Sequence, residues 1–293
     1  MDEREWLAKE FEEHRSHLRA VAYRMLGSLS EAEDAVQDTW ERVSKAGTQD
    51  VENLGGWLTT ILARVCLNML RSRRIRREDA LEVHLPDPVV TPVGADPEAE
   101  TVLADSVGLA LQVVLDTLTP AERLAFVLHD MFDLPFDEIA PMVGRTPEAA
   151  RQLASRGRRR VQGAELRRPD RDLNRQRAVV DAFFAAARGG DFDALVGLLD
   201  PDVVLRADFG PIRPGGIVRG PAAVVAQARA GANPAAVLHP ALVNGAAGVV
   251  ITLHGRPHAI MAFTVSDGRI VEIDAIGDPE RIRRVAAVVL APV

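Results

Sequence analysis

The sequence has few of the residues that build disulfides, zinc fingers or membrane spans. Cys66 is the single cysteine among 293 residues, which excludes an intrachain disulfide and any cysteine-based zinc finger. Met1 to Glu13 is acidic rather than basic and then apolar, so we expect no secretory signal. The longest stretch without formal charge, Ala230 to Gly255, holds two prolines and four glycines and cannot be a membrane span. We therefore expect a soluble, cytoplasmic protein that has no membrane partner.

The overall composition is that of a folded protein with an acidic balance. Hydrophobic residues make up 47% of the chain, which is enough for packed cores and excludes wholesale disorder. A length of 293 residues corresponds to about two domains, or to three small ones. The chain carries 35 basic and 42 acidic residues, for a net charge of −7, so the average charge argues against a simple polyanion binder.

The charged residues are grouped in blocks along the chain, so the average charge does not exclude binding to a polyanion. Arg64 to Arg77 includes six arginines and no acidic residue, and Arg145 to Arg168 includes eight arginines and two acidic residues. Between them, Glu78 to Asp105 carries eight acidic residues, four prolines and no lysine or arginine. Two basic stripes joined by an acidic, proline-rich linker indicate two nucleic-acid contacts, although each run taken alone could be a solvated face.

Two amphipathic helices are predicted near the N-terminus. The first covers Phe11 to Gly27, where the glycine suits a left-handed C-cap, and the second follows Ser30 as its N-cap. The second helix has a core stripe at Ala32, Ala35, Val36, Thr39 and Val43. Its other face carries Asp34, Gln37, Asp38 and Glu41. That acidic face fits a basic partner protein, although a solvated face would look the same.

A third helix combines a core stripe with a basic face. Asn53 to Gly56 is interpreted as a loop, and Trp57 as the first residue of the helix. The predicted core positions are Leu58, Ile61, Leu62, Val65 and Met69. Another face carries Thr60, Arg64, Asn68 and Arg71, where arginines suit phosphates and the threonine and asparagine suit bases. Trp57 could hold an unstacked base or could belong to the core.

The next helical segment has the layout of a helix-turn-helix. Helices are predicted over Leu109–Leu118, Ala121–Met131 and Phe136–Met142, and Thr146 with Pro147 begins a fourth. The core face of that fourth helix is Ala150, Leu153, Ala154, Gly157 and Val161. Its outer face, Glu148, Arg151, Gln152, Ser155 and Arg159, suits a recognition helix in the major groove. Arg156, Arg158 and Arg160 are expected to meet phosphates, and a purely structural helical hairpin is the alternative.

These segments resemble the extracytoplasmic-function sigma factors of RNA polymerase, nearly continuously over residues 10–165. Leu18–Ser28 and Ala32–Trp40 resemble region two, and Trp57–Ile61 with Asn68–Ser72 resembles the helix that engages the −10 promoter element. Region four, which reads the −35 element, is resembled by Leu118–Arg123, Asp137–Ala140 and Gly144–Arg160.

The resemblance implies a site for each partner. The β′ clamp of core RNA polymerase would be bound by Asp34, Gln37, Asp38, Trp40 and Glu41. The −10 element would be bound by Trp57, Thr60, Arg64, Asn68, Arg71, Arg73 and Arg74. The −35 element would be bound by Arg145, Thr146, Glu148, Arg151, Gln152, Ser155, Arg156, Arg158 and Arg159. The acidic linker is similar to the segment that threads the RNA path, and coupling both weak promoter contacts through the polymerase would strengthen each.

The C-terminal part predicts a separate α+β domain. Helices are expected over Asn174–Arg188 and Asp193–Leu199. Strands are expected over Val203–Ala207, Gly248–His254, His258–Val265 and Ile270–Ile276, with Asp267-Gly268 as the turn of the last hairpin. Helices followed by a meander give a cone with a pocket against the sheet.

Short segments of this part resemble the subgroup of these sigma factors that carries a fused SnoaL-like domain. Asp191–Leu195 and Leu199–Val204 are similar to the opening of that domain. The subgroup's linker motif is matched by Leu85, Pro86, Asp87 and Pro88. Its terminal motif is matched by Asp278, Pro279, Glu280, Arg281 and Ile282, with Asp278 where asparagine is usual. A usual run of glycines is reduced to Gly210, after Asp208. The resemblance implies a regulator in cis that contacts the sigma domains.

Three functions are weighed. The first is a sigma factor that directs core polymerase to promoters and is regulated by its own C-terminal domain. The second is a helix-turn-helix regulator with a ligand-sensing domain, which the region-two helices argue against. The third is a SnoaL-like enzyme, whose candidate acid/base residues show no triad or metal spacing: Asp208, His239, His254, His258 and Asp274. We expect no enzyme activity, cofactor or metal; the cone could take a small ligand that the sequence does not name.

The expected fold is all-α in the N-terminal half, with two helical sigma domains of which the second is a helix-turn-helix. A C-terminal α+β domain of the cone-like SnoaL type follows. We expect region two over residues 1–77, the acidic linker over 78–108, region four over 109–168 and the regulatory domain over 169–293.

Overall fold

The computed structural model describes residues 3–46, 51, 53–77, 84–94, 109–163, 169–210 and 215–290. The chain divides into two units, one formed by residues 1–80 and 111–165 and the other by residues 81–110 and 166–293. Within the described ranges, no helix has both the length and the apolarity needed to cross a membrane.

Three helices begin the N-terminal unit: α1 (Glu3–Leu26), α2 (Leu29–Ala46) and α3 (Leu54–Arg77). The predicted core stripe of α2 is confirmed, since all five of its residues are buried. Gly27 ends α1 in the left-handed conformation, with a φ of 71°, as predicted. The first helix is about two turns longer than the predicted Phe11–Gly27, because it begins at Glu3.

The start of α3 differs from the prediction. The Asn53–Gly56 segment, expected as a loop, forms the N-cap and first turn of the helix, because Asn53 Oδ1 accepts the N–H of Gly56 at 3.0 Å. A Cβ on Gly55 would lie 3.1 Å from the ring of His14, so the glycine lets this turn approach α1 closely. The predicted core positions are buried except Ile61 and Met69, which are only partly covered.

The helix-turn-helix lies in the same unit. Its elements are α4 (Leu109–Asp116), α5 (Pro120–Phe126), a π-helical turn (Val127–Met131), α6 (Phe136–Val143) and α7 (Pro147–Gly163). Thr119 and Glu122 form a capping box at the start of α5. The single helix predicted over Ala121–Met131 is therefore two segments, the second of which has the wider π-helical winding.

The C-terminal end of α1 joins the two helical groups. The last carbonyls of any helix lack partners inside the helix. Here Arg123 of α5 donates to the carbonyl of Arg24 from Nε at 3.1 Å and from Nη2 at 3.0 Å. Gln112 of α4 donates to the carbonyls of both Tyr23 and Arg24 at 3.2 Å. Because these groups are buried, their hydrogen bonds fix α4 and α5 against α1.

The C-terminal unit is built on one mixed sheet of seven strands. The strands are β1 (Val90–Pro92), β2 (Leu199–Asp208), β3 (Gly216–Arg219), β4 (Ala236–Val243), β5 (Ala246–Leu253), β6 (Arg256–Ser266) and β7 (Arg269–Ile276). Their order across the sheet is β1-β4-β5-β6-β7-β2-β3, and every pair is antiparallel except β2 with β7. The helices are α8 (Leu173–Gly189), α9 (Phe192–Leu198), α10 (Pro221–Gly231), α11 (Pro279–Val285) and α12 (Ala287–Leu290).

The predicted meander and its Asp267-Gly268 turn are present, with φ of 53° and 74° at the two turn residues. The interior of the cone is filled by side chains. Phe183, Phe184 and Phe263 contact one another in edge-to-face pairs, with ring centroids 5.5–5.8 Å apart. Aliphatic residues of α8, α9 and strands β2, β5, β6 and β7 pack around them.

The middle of the acidic linker belongs to the sheet, which the sequence did not predict. Val90, Thr91 and Pro92 pair with Val243, Leu242 and Ala241, and so add an edge strand to β4. Residues 85–90 are buried, although the sequence indicated only an acidic, proline-rich linker between the two helical domains. A proline is tolerated there because β1 is an edge strand, where a missing N–H leaves no ladder bond unmade on the open side.

Candidate nucleic-acid interface and regulatory site

The recognition helix α7 turns a mixed polar face outward. Counting about 100° per residue, Glu148, Ser155 and Arg159 lie within about 20° of the direction opposite Gly157. Gly157 faces α5 so closely that an added Cβ would lie 2.9 Å from Cβ of Phe126. Glu148, Arg151, Gln152, Arg156 and Arg159 are exposed, and Ser155 is half-exposed. The outward face predicted from spacing is therefore the solvent face of the helix.

The first turn of α7 is held by its own polar residues. Thr146 Oγ1 accepts the N–H of Ala149 at 3.3 Å, which makes Thr146 the predicted N-cap. The pKa of Glu148 lies below its ordinary value because its backbone N–H, and then the Thr146 hydroxyl, bond to the carboxylate. Arg151 stacks over the ring of Phe136 with its guanidinium carbon 5.3 Å from the centroid, while Arg145 is exposed.

Two arginines of α7 have carboxylate partners within the helix-turn-helix. Arg158 donates from Nε to Asp130 Oδ1 at 2.8 Å and also from Nη2 to the same oxygen. Arg160 Nη1 lies 2.9 Å from Glu122 Oε2. Both were expected to meet phosphates, and the structure instead gives them protein partners. Asp130 and Glu122 had no signal in the sequence, because their partners lie 28 and 38 residues away.

The predicted −10 residues of α3 fall into three groups. Arg64, Asn68 and Arg71 are exposed along one face. Thr60 and Trp57 are half-exposed, and the Thr60 hydroxyl donates to the carbonyl of Gly56 at 2.9 Å. Thr60, Arg64, Asn68 and Arg71 thus share the face predicted from their spacing, and Trp57 lies half-exposed one turn before Thr60.

Arg73 does not extend that face. Arg73 donates to the carbonyl of Leu26 at 2.9 Å and forms an ion pair with Glu31, so its side chain is only 16% exposed. It joins α3 to the end of α1 and the start of α2 instead of pointing outward. The side chain of Arg74 lies outside the described residues.

The predicted polymerase-binding residues line one side of α2. Asp34, Gln37 and Glu41 are exposed, and Asp38 forms an exposed ion pair with Arg42 at 3.1 Å. Trp40 is half-buried against Phe11, with ring centroids 5.0 Å apart. A cleft of about 250 Å³ between α1 and α2 lies beside these residues and is lined by Gln37 and Trp40. The face therefore combines exposed carboxylates with an accessible aromatic side chain.

The linker motif is bound in the C-terminal unit by Arg281. The guanidinium donates to Asp208 at 2.6 Å, to Asp87 at 2.8 Å and to the carbonyl of Leu85 at 2.7 Å. The N–H of Leu85 donates to Asp208 Oδ2 at 2.8 Å. Leu85, Asp87, Asp208 and Arg281 are each less than 9% exposed. Three separate segments that the sequence singled out thus meet in one buried charged cluster.

Asn244 holds the other end of the motif. Its Oδ1 accepts the N–H of Val89 at 3.0 Å, and its own N–H donates to the carbonyl of Val89 at 2.8 Å. Asn244 has a φ of 50° and is followed by Gly245, so in the sequence it indicated only a turn. Nothing in the sequence linked that turn to the linker. Pro86 and Pro88 are buried between these two attachments.

The reduced glycine loop and the terminal motif interlock. Gly210 has a φ of 62°, and a Cβ there would lie 2.3 Å from Asp278 Oδ2. The ring of Phe209 occupies the space in which a Cβ on Gly277 would lie. Asp278 accepts the N–H groups of Glu280 and Arg281 and so caps α11, a role that asparagine could also fill. Pro279 follows as the first helical residue, and Ile282 is fully buried.

The candidate acid/base residues have different surroundings in the C-terminal unit. Burial would raise the pKa of Asp208, but the N–H groups of Gly210 and Leu85 and the Arg281 guanidinium hold it below its ordinary value. Burial raises the pKa of Asp274 to about 6, against the opposing effect of Arg206. His239 hydrogen-bonds Thr252 at 3.0 Å, and among the described residues no group of histidine, cysteine, aspartate and glutamate is arranged to hold a metal.

His254 and His258 are exposed at the turn of the β5–β6 hairpin. Cys66 in α3 is buried, and burial raises the pKa of its thiol to about 12. It is therefore a small apolar residue of the core rather than a reactive thiol.

Three protein families match successive parts of the chain. Residues 11–76 match sigma-70 region 2, residues 108–161 match sigma-70 region 4, and residues 180–273 match the SnoaL-like domain. The chain is 38% identical to the ECF RNA polymerase sigma factor SigJ of Mycobacterium tuberculosis over 287 residues, which covers 93% of this chain and 92% of that protein. It is 33% identical to the probable ECF RNA polymerase sigma factor SigI of the same species, with 92% of each chain covered.

The crystal structure of Mycobacterium tuberculosis SigJ is similar to the whole chain. It matches with a TM-score of 0.74 at 35% identity, covering 94% of this chain and 98% of that one. The helical N-terminal half and the α+β C-terminal domain expected from the sequence are therefore confirmed.

We predict that Arg281→Gln releases residues 85–92 from their contacts with the C-terminal unit, including the pairing of β1 with β4. The change leaves two buried carboxylates and the Leu85 carbonyl without their shared donor, and breaking a buried pair costs about 3–5 kcal/mol. Hydrogen exchange of peptides covering residues 84–94 should rise by roughly a hundredfold or more. Arg284→Gln is the matched control. Its guanidinium also reaches Asp87, at 3.3 Å, but is 46% exposed, so the loss should stay below about 1 kcal/mol. Equal exchange in both variants would contradict the assignment.

We also predict that acid releases the linker. Asp208 has a depressed pKa, so its stabilising contribution is complete above the ordinary pKa of about 3.9 and is lost as the pH falls further. Asp274 has the opposite sign, because its raised pKa makes the domain more stable as the pH falls from about 6. Exchange of residues 84–94, corrected for its intrinsic pH dependence, should therefore stay slow down to about pH 4 and then rise. Asp208→Asn should already exchange fast at neutral pH; a variant that keeps the wild-type profile would refute this role.

Proposed function

The chain belongs to the ECF RNA polymerase sigma factors, and from that premise we propose how its surfaces divide promoter recognition between them. As a sigma factor it recognises promoters and initiates transcription with core RNA polymerase. The observation that carries the proposal is the outward face of α7, the second helix of the helix-turn-helix. Glutamate, arginine and glutamine side chains are exposed on that face.

The −35 element is read by the N-terminal half of that face. Gln152 can pair with adenine, Arg151 with guanine, and Glu148 can accept from cytosine. Arg145, Arg156 and Arg159 are exposed and suit phosphate contacts on either side of the groove. Ser155 and Thr146 complete the contact with the −35 element. Thr146 contributes chiefly as the N-cap of α7.

The −10 element is bound along α3. Arg64 and Arg71 supply the phosphate contacts, and Asn68 with Thr60 faces the bases. Trp57 is half-exposed beside them and is the side chain available to stack on an unpaired base. Arg73 takes no part in this contact, because it holds α3 to the end of α1.

Core polymerase is bound by the acidic side of α2, through a basic surface on the clamp. Asp34, Gln37 and Glu41 are exposed there, and charges of opposite sign steer association and fix orientation more than they add affinity. Trp40 offers the apolar contact at the centre of this charged face, beside the cleft that it lines with Phe11.

The C-terminal domain regulates the sigma segments by holding their linker. Residues 85–92 cannot dock on the C-terminal domain and thread the RNA path of the polymerase at the same time, since each arrangement uses the same backbone. Docking on Arg281 and Asn244 therefore competes with engagement of the linker in the polymerase. The domain acts in this way as a regulator rather than an enzyme.

Transcription in vitro tests the proposal. Sigma-free core polymerase and a promoter library should give discrete transcripts only when this protein is added. Gln152→Ala should lower the preference for one base pair of the −35 element by about 1–3 kcal/mol while promoters are still opened.

Gln162→Ala is the control, because Gln162 is an exposed glutamine ten residues further along the same helix, about 15 Å from Gln152. It should leave the preference unchanged. If the wild-type protein binds DNA specifically but gives no transcript, the sigma function fails. If both variants alter the preference equally, the assignment of the −35 face fails.

A further inference from the structure

We propose that Arg158 and Arg160 are positioning residues that set the angle of α7 through Asp130 and Glu122, and that they do not contact DNA. The inference rests on the proposed function, because it assigns a role within the −35 reader. It divides the arginines of α7 into two classes that the sequence cannot separate. One class binds phosphate, and the other binds the scaffold beneath the recognition helix.

The direction of each side chain around α7 supports the division. Relative to Gly157, which faces α5, Arg160 points about 60° away and Arg158 about 100° away. Arg159 points about 160° away, into solvent. Arg160 is therefore on the packing side of the helix and Arg158 on its flank, and both long side chains end at carboxylates of the scaffold.

The two carboxylates stand on either side of the contact between Gly157 and Phe126. Glu122 lies one turn before Phe126, at the start of α5, and Asp130 lies one turn after it, in the π-helical turn. The two ion pairs therefore attach α7 at two points about 12 Å apart along the same helical run. Two attachments restrain rotation of one helix across another, which a single close contact does not do.

Each attachment is built from more than a surface ion pair. The Glu122 side chain is 5% exposed and accepts both the N–H of Thr119 at 3.1 Å and the Thr119 hydroxyl at 2.8 Å. Arg160 thus binds a carboxylate that the capping box already holds in place. Asp130 is 19% exposed and accepts two donors of Arg158 on one oxygen. Breaking either pair to reach a phosphate would leave a largely buried carboxylate without its cation.

Three other arginines, one just before the helix and two within it, lack such partners in the described residues. Arg145, Arg156 and Arg159 are exposed and form no ion pair within the part of the chain that the structure describes. Their charge is free to displace counterions from DNA, and each phosphate neutralised steepens the salt dependence of binding. The two classes therefore differ in a quantity that can be measured.

Salt dependence of promoter binding separates the classes. Full-length protein with core polymerase would be titrated against a labelled promoter duplex over a series of KCl concentrations. Arg156→Gln and Arg159→Gln should each reduce the slope of log K against log[KCl] by roughly 0.9. Arg158→Gln and Arg160→Gln should leave the slope unchanged and weaken binding by about tenfold at every salt concentration.

The direction in which Asp130→Asn changes promoter affinity distinguishes the two roles of Arg158. If Arg158 positions the helix, losing its partner weakens promoter binding; if Arg158 were a DNA ligand, the freed cation would bind more tightly and steepen the slope. The reciprocal exchange, Asp130→Arg with Arg158→Asp, should restore binding to within about threefold, with the folded state of each variant checked by circular dichroism. Tighter binding by Asp130→Asn, or a slope change in Arg158→Gln equal to that of Arg159→Gln, would overturn the inference. A wild-type holoenzyme without promoter-specific binding would instead refute the proposed function.

Discussion

The attachment of the linker in the C-terminal unit depends on the hydrogen bonds and ion pairs of the buried Arg281 guanidinium. It binds two carboxylates and a carbonyl that belong to the linker and to the loop after β2, nearly 200 and 73 residues away along the chain. A cation in this position is stable only while all its partners are present, because an unpaired buried charge is costly. The cluster therefore makes linker docking close to an all-or-none event. A partner that binds the released linker therefore shifts the equilibrium between its docked and released states.

A chain with a net charge of −7 can act on DNA because its charges are divided by position. Exposed arginines lie on one face of α3 and on the outward face of α7, and carboxylates line α2. Other arginines bind groups of the protein itself. Arg123 binds the end of α1, Arg206 binds Glu272 and Asp274, and Arg281 binds the linker. Counting arginines thus overstates the cationic surface. The carboxylate and carbonyl partners available to each guanidinium decide whether it binds nucleic acid or the chain itself.

The sequence predicted the features that depend on local periodicity. The stripe of α2, the outward face of α7 and the Asp267-Gly268 turn follow from spacings of a few residues, and each is present. The features that it missed depend on contacts between distant segments. Neither the strand β1 nor the ion pair between Asp130 and Arg158 leaves a local pattern, because a proline-rich acidic run and an arginine-rich helix look alike whether docked or free. The resemblance to the family named the linker motif, but the structure supplies its partners.

We propose that the linker has two mutually exclusive positions, one in the C-terminal unit and one in the polymerase. Hydrogen exchange of residues 84–94, measured in the free protein and in a holoenzyme shown to be transcribing, tests it most directly. The account predicts that the protected amides of Leu85, Val89 and β1 lose their protection, by at least an order of magnitude, on assembly with core polymerase. The amides of β5 and β6 in the same sample should keep theirs and serve as the internal reference. Unchanged protection of β1 in an active holoenzyme would contradict the account.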